Sequence, residues 1–294
     1  MHSTRRRFLQ SLAALPLAAT ALRAIDPVVR PAKPRMTLGV AAYSFRVALD
    51  LKKPTMTLFD FIDLAATYPV TAVELTSYYF AETTPAYLAK LKAKCAERKL
   101  SISGVPIRSD FCLADGKKLE AELIHVKEWI ERAATLGSPT VRIFAGNLPK
   151  GTTLETVRKQ VVASLQECAD AAEKRGVTLV LENHGGITGT PEGLLALVEP
   201  IASRGLAVNV DTGNFRTADP YADLAKIIPY GRTVQLKTEL FPAGKPTEEA
   251  DLARLVKMLK DANYDGVVTL EYEAVGAPKT EVPKVLKELK ALIG

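Results

Sequence analysis

The chain has 294 residues, of which 47% are hydrophobic and 24% are charged, as expected for a soluble globular protein with a large core. Its net charge of +6 depends on four arginines in the first 24 residues, and the rest of the chain carries only +2 without a basic stripe. Charge therefore gives no reason to expect a nucleic-acid partner, and three cysteines without paired spacing give no disulfide framework.

The first 24 residues differ in character from the rest of the chain. The segment TRRRFLQ at 4–10 precedes the weakly apolar run SLAALPLAATAL at 11–22, and small residues follow it. This pattern resembles a bacterial twin-arginine signal peptide, which predicts export to the periplasm and removal of residues 1–24. The alternative is an N-terminal membrane anchor, but the apolar run is shorter than the ~20 residues that a spanning helix needs. No stable membrane insertion is expected after cleavage.

A proline-rich segment at 25–35 is predicted to be a linker, and the folded domain is predicted to span 36–294. Within that domain, eight short runs rich in Val, Ile, Leu and Thr have the composition of strands that are buried on both faces. The predicted strands occupy 37–45, 72–79, 101–107, 140–146, 177–183, 206–212, 233–239 and 267–273.

Amphipathic segments that are typical of helices lie between the predicted strands. Three pairs, at 84–85, 190–191 and 219–220, place Thr or Asp before a proline, which predicts a capped helix start with proline at its first position. Glu248 and Glu249 favour another first turn through the helix dipole, and Gly137 favours a helix end.

Strands and helices that alternate over roughly 260 residues predict a parallel sheet with crossover helices. Eight such units match the size of a closed (β/α)8 TIM barrel, so the predicted fold class is α/β. The alternative is an open doubly wound sheet, which would need a glycine-rich phosphate turn after its first strand. The sequence AAYSFRVALD at 41–50 contains no such turn.

Acidic and amide side chains mark four consecutive strand ends. These are Glu182, Asp211, Gln235 and Glu271, and in a TIM barrel the active site lies at that end of the strands. A single acid there would more simply form a salt bridge with the next loop. Three carboxylates on one rim repel one another unless positive charge lies between them, which predicts a divalent metal ion.

The motifs LVLENHG, VNVDTGN, VQLKTE and TLEYE resemble those of the xylose isomerase-like sugar isomerases and epimerases, over 36–294. This resemblance implies that Glu182, Asp211, Gln235 and Glu271 hold one divalent ion. It also implies that Glu182 and Glu271 are the catalytic acid–base pair, which moves a proton next to a sugar carbonyl through an enediolate.

The sequence departs from that family at two positions. Gln235 stands where the family usually has a metal-binding histidine, and Asn214 stands where a second histidine is common. An oxygen-rich site favours Mn²⁺ or Mg²⁺ over Zn²⁺ or Co²⁺.

Five residues near the strand ends are predicted to bind substrate: Tyr43, Arg108, His184, Asn214 and Lys237. His184 shares a strand face with Glu182, since residues two apart along a strand point the same way. Lys237 could hold a substrate oxygen or pair with Glu271, and the sequence leaves both open. His125, in a helical segment beside Val126, is expected to be structural.

The sequence therefore predicts an exported, metal-dependent sugar isomerase or epimerase with a small-molecule carbohydrate as its partner, and export favours unphosphorylated sugars. Two alternatives stay open: a lyase or hydratase acting on oxidised (keto) sugars or glycosides, and a sugar-binding barrel without catalysis. A nuclease of the endonuclease IV type is disfavoured, because the chain after the leader has only two histidines. The oligomeric state is left open.

Overall fold

The computed structural model describes residues 27–30 and 35–294. Eight parallel strands close into a barrel in which neighbours along the chain are neighbours in the sheet, and the last strand pairs with the first. The predicted TIM barrel is thus confirmed. The strands are β1 (Thr37–Ala41), β2 (Ala72–Glu74), β3 (Ser101–Pro106), β4 (Thr140–Ile143), β5 (Thr178–Glu182), β6 (Leu206–Asp211), β7 (Gly231–Leu236) and β8 (Val267–Leu270).

Eight α-helices alternate with these strands and cover the outer face of the barrel. They are α1 (Leu58–Ala65), α2 (Pro85–Glu97), α3 (Gly116–Leu136), α4 (Leu154–Lys174), α5 (Pro191–Val198), α6 (Pro220–Ile227), α7 (Leu252–Asp261) and α8 (Pro278–Ile293). Among the described residues, no helix is long and apolar enough to cross a membrane.

The predicted helix boundaries are confirmed where a side chain caps the backbone. Thr84, Thr190 and Asp219 each accept a hydrogen bond from a backbone N–H in the first turn of the following helix. Gly137 ends α3 with a φ of 77°, a left-handed conformation that glycine adopts without steric cost.

One predicted helix start is wrong. Glu248 and Glu249 do not open α7, because they pair antiparallel with Leu240 and Glu239 in a short two-stranded sheet. The helix begins at Leu252, after Asp251, whose side chain accepts a hydrogen bond from the N–H of Arg254 at 2.8 Å. The capping oxygen, rather than the acidic pair, sets the first turn.

The predicted leader at 1–24 lies outside the described residues. Part of the predicted linker contacts the barrel, since Val28 donates a backbone hydrogen bond to Pro229 at 2.9 Å. The guanidinium of Arg30 donates to the carbonyl oxygens of Ile228 at 3.3 Å and Ala262 at 3.2 Å. Residues 27–30 therefore pack near the amino-terminal end of β7, opposite the predicted active site.

The inside of the barrel contains several buried polar side chains. Gln235 of β7 donates to Glu74 of β2 at 2.7 Å, and these strands are not neighbours in the sheet, so the bond crosses the barrel interior. Arg142 of β4 and Asn209 of β6 are also buried. Buried polar side chains need partners, and the arrangement of these partners defines the candidate site.

Candidate active site

The predicted acids meet at the carboxyl-terminal mouth of the barrel. Glu182 ends β5, Asp211 ends β6, and Glu271 directly follows β8, and all three side chains are buried. Lys237 follows β7 and is buried among them. The mouth therefore contains three carboxyl groups and at least one cation within the same water-poor space.

Glu182 is held by three polar neighbours. Its Oε2 lies 2.8 Å from Nε of Arg142 and accepts from Nδ2 of Asn209 at 3.1 Å, while its Oε1 accepts from Nδ2 of Asn214 at 2.8 Å. The predicted substrate residue Asn214 thus contacts Glu182 directly. With both oxygens engaged, the Glu182 carboxyl has a fixed orientation.

Arg142 is a site residue that the sequence reasoning missed. It is buried in β4, where its Nη1 donates to the carbonyl of Ile107 at 3.1 Å and its guanidinium lies 3.9 Å from the ring centre of Phe144. The available signal was a charged residue inside the otherwise apolar strand TVRI. A buried arginine in such a strand requires an acidic partner, and Glu182 is that partner.

Lys237 sits between three acids. Its Nζ lies 3.1 Å from Oε2 of Glu271 and 3.4 Å from Oδ2 of Asp211, and it donates a short hydrogen bond to Glu273. Burial lowers the pKa of Lys237, but the three carboxylates outweigh burial and raise it well above its usual value. The salt bridge with Glu271, one of two possibilities open from the sequence, is therefore present.

The amide of Asn209 has an orientation fixed by its neighbours. Its Oδ1 accepts from the hydroxyl of Thr233 at 2.7 Å, so its Nδ2 faces Glu182 and the Oε1 of Gln235, the latter at 2.6 Å. A carboxylate only accepts hydrogen bonds, which agrees with an amide nitrogen on that side.

The amide of Gln235 is oriented in turn by Asn209. Its oxygen accepts from Asn209, so its nitrogen faces the carboxyls of Glu74 at 2.7 Å and Glu271 at 3.4 Å. Gln235 therefore presents donors, not an acceptor, to the acids.

Burial raises the pKa of each acid in the site. For Glu182 and Glu271, nearby cations oppose the effect of burial, and for Asp211 the pKa is raised well above its usual value. The pKa of Glu74 rises to about 8 through burial and the negative charge of Glu271. Carboxyls with raised pKa values in a cleft are suited to take and return protons near neutral pH.

Glu74, at the end of β2, is a further buried acid close to the predicted site. Its partner is the Gln235 amide, and it also lines a cavity of about 580 Å³ at the amino-terminal end of the barrel. Gly104 leaves room for the neighbouring Thr140, because a Cβ at that position would lie 2.8 Å from the Thr140 hydroxyl.

The predicted residues Tyr43 and Arg108 lie on one side of the mouth. Tyr43 packs against Tyr78 and Tyr79, with ring centres 6.3 Å and 6.4 Å apart. The guanidinium of Arg108 lies 4.6 Å from the ring centre of Tyr78 and is exposed. These aromatic rings offer apolar faces beside the acids.

His184 lies near Arg108 beside the mouth and is exposed. Its ring stacks on Phe144 with ring centres 4.0 Å apart, and burial and Arg142 lower its pKa. A groove of about 740 Å³ beside it is lined by His125, Arg108 and Asn147 as well. His125, expected to be structural, thus lines a surface groove.

The donor set does not fit a divalent ion in this arrangement. Gln235 turns its oxygen towards Asn209 and its nitrogen towards Glu74 and Glu271, and Lys237 lies between Asp211 and Glu271. Among the described residues, no three His, Cys, Asp or Glu side chains form a metal-binding group. The predicted ligands share one end of the barrel, where the Lys237 ammonium occupies the space between Asp211 and Glu271.

Residues 62–292 match the family described as xylose isomerase-like TIM barrel, and the chain belongs to this family. The fold and the acid-lined mouth thus agree with the family that the sequence motifs resemble.

Comparison with particular proteins gives distant relatives. The uncharacterized protein MJ1311 of Methanocaldococcus jannaschii is 27% identical over 192 residues, which cover 60% of this chain and 64% of that protein, less than two thirds of its length. Among solved structures, a D-tagatose 3-epimerase-like protein superposes with a TM-score of 0.72 at 20% identity, covering 88% of this chain and 98% of that one.

Two further structures are similar to the same extent. An L-ribulose 3-epimerase gives a TM-score of 0.68 at 18% identity, covering 88% of this chain and 93% of that one. A xylose isomerase domain protein from Planctomyces limnophilus gives 0.68 at 17% identity, covering 88% and 97%. At these identities the likeness shows a shared fold.

Proposed function

We propose that the protein is a sugar isomerase or epimerase that moves a proton at the carbon next to a carbonyl. The observation that carries this proposal is the placement of Glu182 and Glu271, two buried carboxyls with raised pKa values. Glu182 ends β5 and Glu271 follows β8, and these strands lie three places apart around the ring of eight, so the two side chains reach the mouth from well-separated directions. Several structurally similar proteins are named as sugar epimerases, which supports the same reaction class.

The two carboxyls act as a base and an acid on opposite sides of the substrate carbon. One removes the proton next to the carbonyl, and the other returns a proton, so the centre is inverted or the carbonyl moves. Arg142 and Asn214 orient Glu182, and Lys237 and Gln235 orient Glu271. Each correctly placed proton transfer contributes ~10²–10⁴-fold in rate.

A carbohydrate suits the surroundings of these acids. Sugars combine hydroxyl groups with apolar C–H faces, and the mouth offers amides, carboxyls and the ring faces of Tyr43 and Tyr78. We propose that Tyr43, Arg108, His184, Asn214 and Lys237 contact the sugar. No nucleic acid is required as a partner, and the oligomeric state is a matter for measurement.

The predicted dependence on Mn²⁺ or Mg²⁺ stays a prediction. Since the side chains as arranged do not fit a divalent ion, no step of the mechanism above passes through a metal. Elemental analysis of the purified protein, followed by assays with added Mn²⁺ or Mg²⁺, tests this part directly.

We also propose that residues 1–24 are a twin-arginine leader and that the domain at 36–294 acts in the periplasm. An exported enzyme meets free sugars more readily than phosphorylated ones. The substrate panel should therefore begin with free aldoses and ketoses and include their phosphates for comparison.

The groove beside His184 favours one second candidate, a lyase acting on keto-glycosides. The groove has a volume of about 740 Å³ and is lined by Phe144, His125 and Arg108 as well as His184, which is room for a leaving group attached to the sugar. The same proton abstraction would then be followed by loss of that group from the neighbouring carbon.

Proton exchange in D₂O separates these reactions. The protein is incubated with free ketoses and, separately, with keto-glycosides, and NMR follows deuterium at the carbon next to the carbonyl. We expect deuterium in an isomerised or epimerised free sugar, and the release of an aglycone would instead identify the lyase.

Glu271→Gln is the test variant, because it keeps the shape of the side chain and removes the base. We expect a loss of at least ~10²-fold in the rate at which isomerised or epimerised sugar forms. The matched control is Glu155→Gln, on the surface of α4, where the carboxylate pairs with Lys159 four residues away. Product formation at the wild-type rate in Glu271→Gln would show that the paired-carboxyl mechanism is wrong.

A further inference from the structure

The barrel mouth contains a buried cation of its own at the place where its acids converge. Lys237 is 8% exposed, and its Nζ lies within 3.4 Å of carboxyl oxygens from both Asp211 and Glu271, with Glu273 as a third partner. Building on the proposed function, we propose that the Lys237 ammonium, rather than a divalent ion, is the electrophile of this site. It neutralises the acids and binds the carbonyl oxygen of the sugar.

The first argument comes from Gln235. A metal ligand must offer a lone pair, and the only one on this side chain belongs to the amide oxygen. That oxygen accepts from Asn209 at 2.6 Å, and the Asn209 amide is held in this orientation because its nitrogen also donates to the Glu182 carboxylate at 3.1 Å. Turning the Gln235 oxygen towards the acids would break its three buried hydrogen bonds, to Asn209, Glu74 and Glu271. Such a linked network resists rearrangement because each broken bond strands a buried polar group.

The second argument comes from space and charge. A divalent ion bound to Asp211 and Glu271 would sit ~2.0–2.6 Å from their oxygens. The Lys237 nitrogen already lies 3.1 Å from Glu271 and 3.4 Å from Asp211, so the ion and the ammonium would compete for the same volume. Two cations a few ångströms apart in a poorly screened site repel strongly. The site therefore accommodates one or the other.

The third argument is that Asp211 keeps one oxygen free for exchange of partners. Its Oδ1 accepts from the N–H of Gly213 at 2.8 Å, whereas its Oδ2 is buried without a hydrogen bond and only lies near Lys237. Lys237 can turn one N–H towards a sugar oxygen while its positive charge stays close to Asp211, Glu271 and Glu273. The same Asp211 oxygen can accept a sugar hydroxyl.

The reaction that follows from this placement balances without a further reagent. Glu182 takes the proton from the carbon next to the carbonyl, the C–H electron pair forms the C=C bond, and the carbonyl electron pair moves to oxygen. The resulting enediolate oxygen is held by the N–H donors of Lys237. A proton from the Glu271 carboxyl then returns to carbon, the C=O bond re-forms, and solvent resets the two acids.

Metal binding is the decisive measurement, because it does not depend on knowing the sugar. The full-length processed protein is stripped with EDTA and titrated with MnCl₂ by isothermal calorimetry, alongside Lys237→Met and the surface control Lys159→Met. We expect no binding in wild type and in Lys159→Met. We expect Lys237→Met, which leaves Asp211, Glu271 and Glu273 uncompensated, to bind Mn²⁺ measurably, with saturation at one ion per chain.

The wild-type titration keeps the proposal testable even where Lys237→Met fails to fold, which circular dichroism reports. Saturable binding of one Mn²⁺ by the wild-type protein, with loss of binding in Asp211→Asn, would overturn the inference. The inference would be supported if the wild-type protein still exchanges deuterium into a sugar after EDTA treatment and Lys237→Met does not.

The two proposals fail in different ways. A wild-type protein that exchanges sugar protons only after metal is added would overturn the Lys237 inference and keep the isomerase proposal. A protein that binds no Mn²⁺ until Lys237 is removed, yet exchanges no sugar proton, would support Lys237 as the resident cation and would remove the isomerase proposal.

Discussion

Replacing Arg142 with methionine should destabilise the protein far more than replacing a surface arginine. The change removes the ion pair with Glu182 at 2.8 Å, the hydrogen bond to Ile107 at 3.1 Å and the contact with Phe144. Removing one partner of a buried pair typically costs ~3–5 kcal/mol, because the other charge stays buried without compensation. That is a large part of the ~5–15 kcal/mol by which domains are stable.

The loss should depend on pH in a direction set by Glu182. Burial already raises the pKa of this carboxyl while Arg142 opposes it, so the variant raises the folded-state pKa further above the unfolded value. A group of this kind favours the folded state at low pH, and that contribution is lost as pH rises through the folded pKa. The destabilisation in Arg142→Met should therefore be larger at pH 8 than at pH 5.5.

Urea unfolding at these two pH values, followed by circular dichroism, measures both effects. The matched control is Arg132→Met, which removes an exposed pair with Glu128 at 2.9 Å in α3 and should cost under ~1 kcal/mol. Equal losses in the two variants, or a loss in Arg142→Met that grows on acidification, would refute the role assigned to this buried pair.

Three further expectations follow from the structure. Glu74→Gln should flatten the loss of stability as pH rises from about 4.5 to about 8, because burial raises the folded-state pKa of Glu74 from 4.5 to about 8 and its ionisation disfavours the fold in that window. Urea midpoints at pH 5 and 8 measure this, and parallel pH profiles of the two proteins would contradict it. Gly104→Ala should lower the free energy of unfolding by ~1–3 kcal/mol, because the new Cβ meets the Thr140 hydroxyl at 2.8 Å, whereas Gly151→Ala has open space and should be strained only by its φ of 77°. Thermal melting compares the two variants, and a Gly104→Ala protein as stable as wild type would show that the Thr140 side chain moves aside. Replacing both Arg5 and Arg6 with lysine should leave the precursor in the cytoplasm, and normal periplasmic accumulation in a fractionation experiment would show that the leader was misread.

The barrel itself was readable from the sequence because its strands are buried on both faces. Runs such as VTLVLEN leave little alternative to a parallel strand, and their spacing with capped helices fixes the count. The start of α7 was not readable, because Glu248 and Glu249 suit a helix dipole locally and yet pair with a strand that the long loop after β7 brings alongside. Tertiary contacts override such weak local preferences.

The residues of the site could partly be predicted from the sequence, whereas the orientation of their hydrogen-bond donors and acceptors could not. That Glu182, Asp211 and Glu271 share one end of the barrel follows from the rule that places active sites there. Whether Gln235 offers its oxygen or its nitrogen depends on Asn209 and Thr233, which come from different strands and have no adjacent signal in the sequence. From the sequence, Lys237 could equally hold a substrate oxygen or pair with Glu271. Its contacts with Asp211 and Glu271 in the structure place it between the acids.

Closure of the barrel has a consequence for the order in which the protein can be made. The first strand, β1, pairs with β8 over four consecutive positions, from Thr37 opposite Val267 to Val40 opposite Leu270. During synthesis from the amino terminus, β1 thus exposes one edge of unpaired backbone groups until almost the whole chain has emerged, and such edges invite pairing with other chains. Contacts at this separation also form slowly. The final strand and α8 therefore determine when a newly made chain stops being a target for chaperones, and a nascent chain stalled before Val267 remains an open sheet.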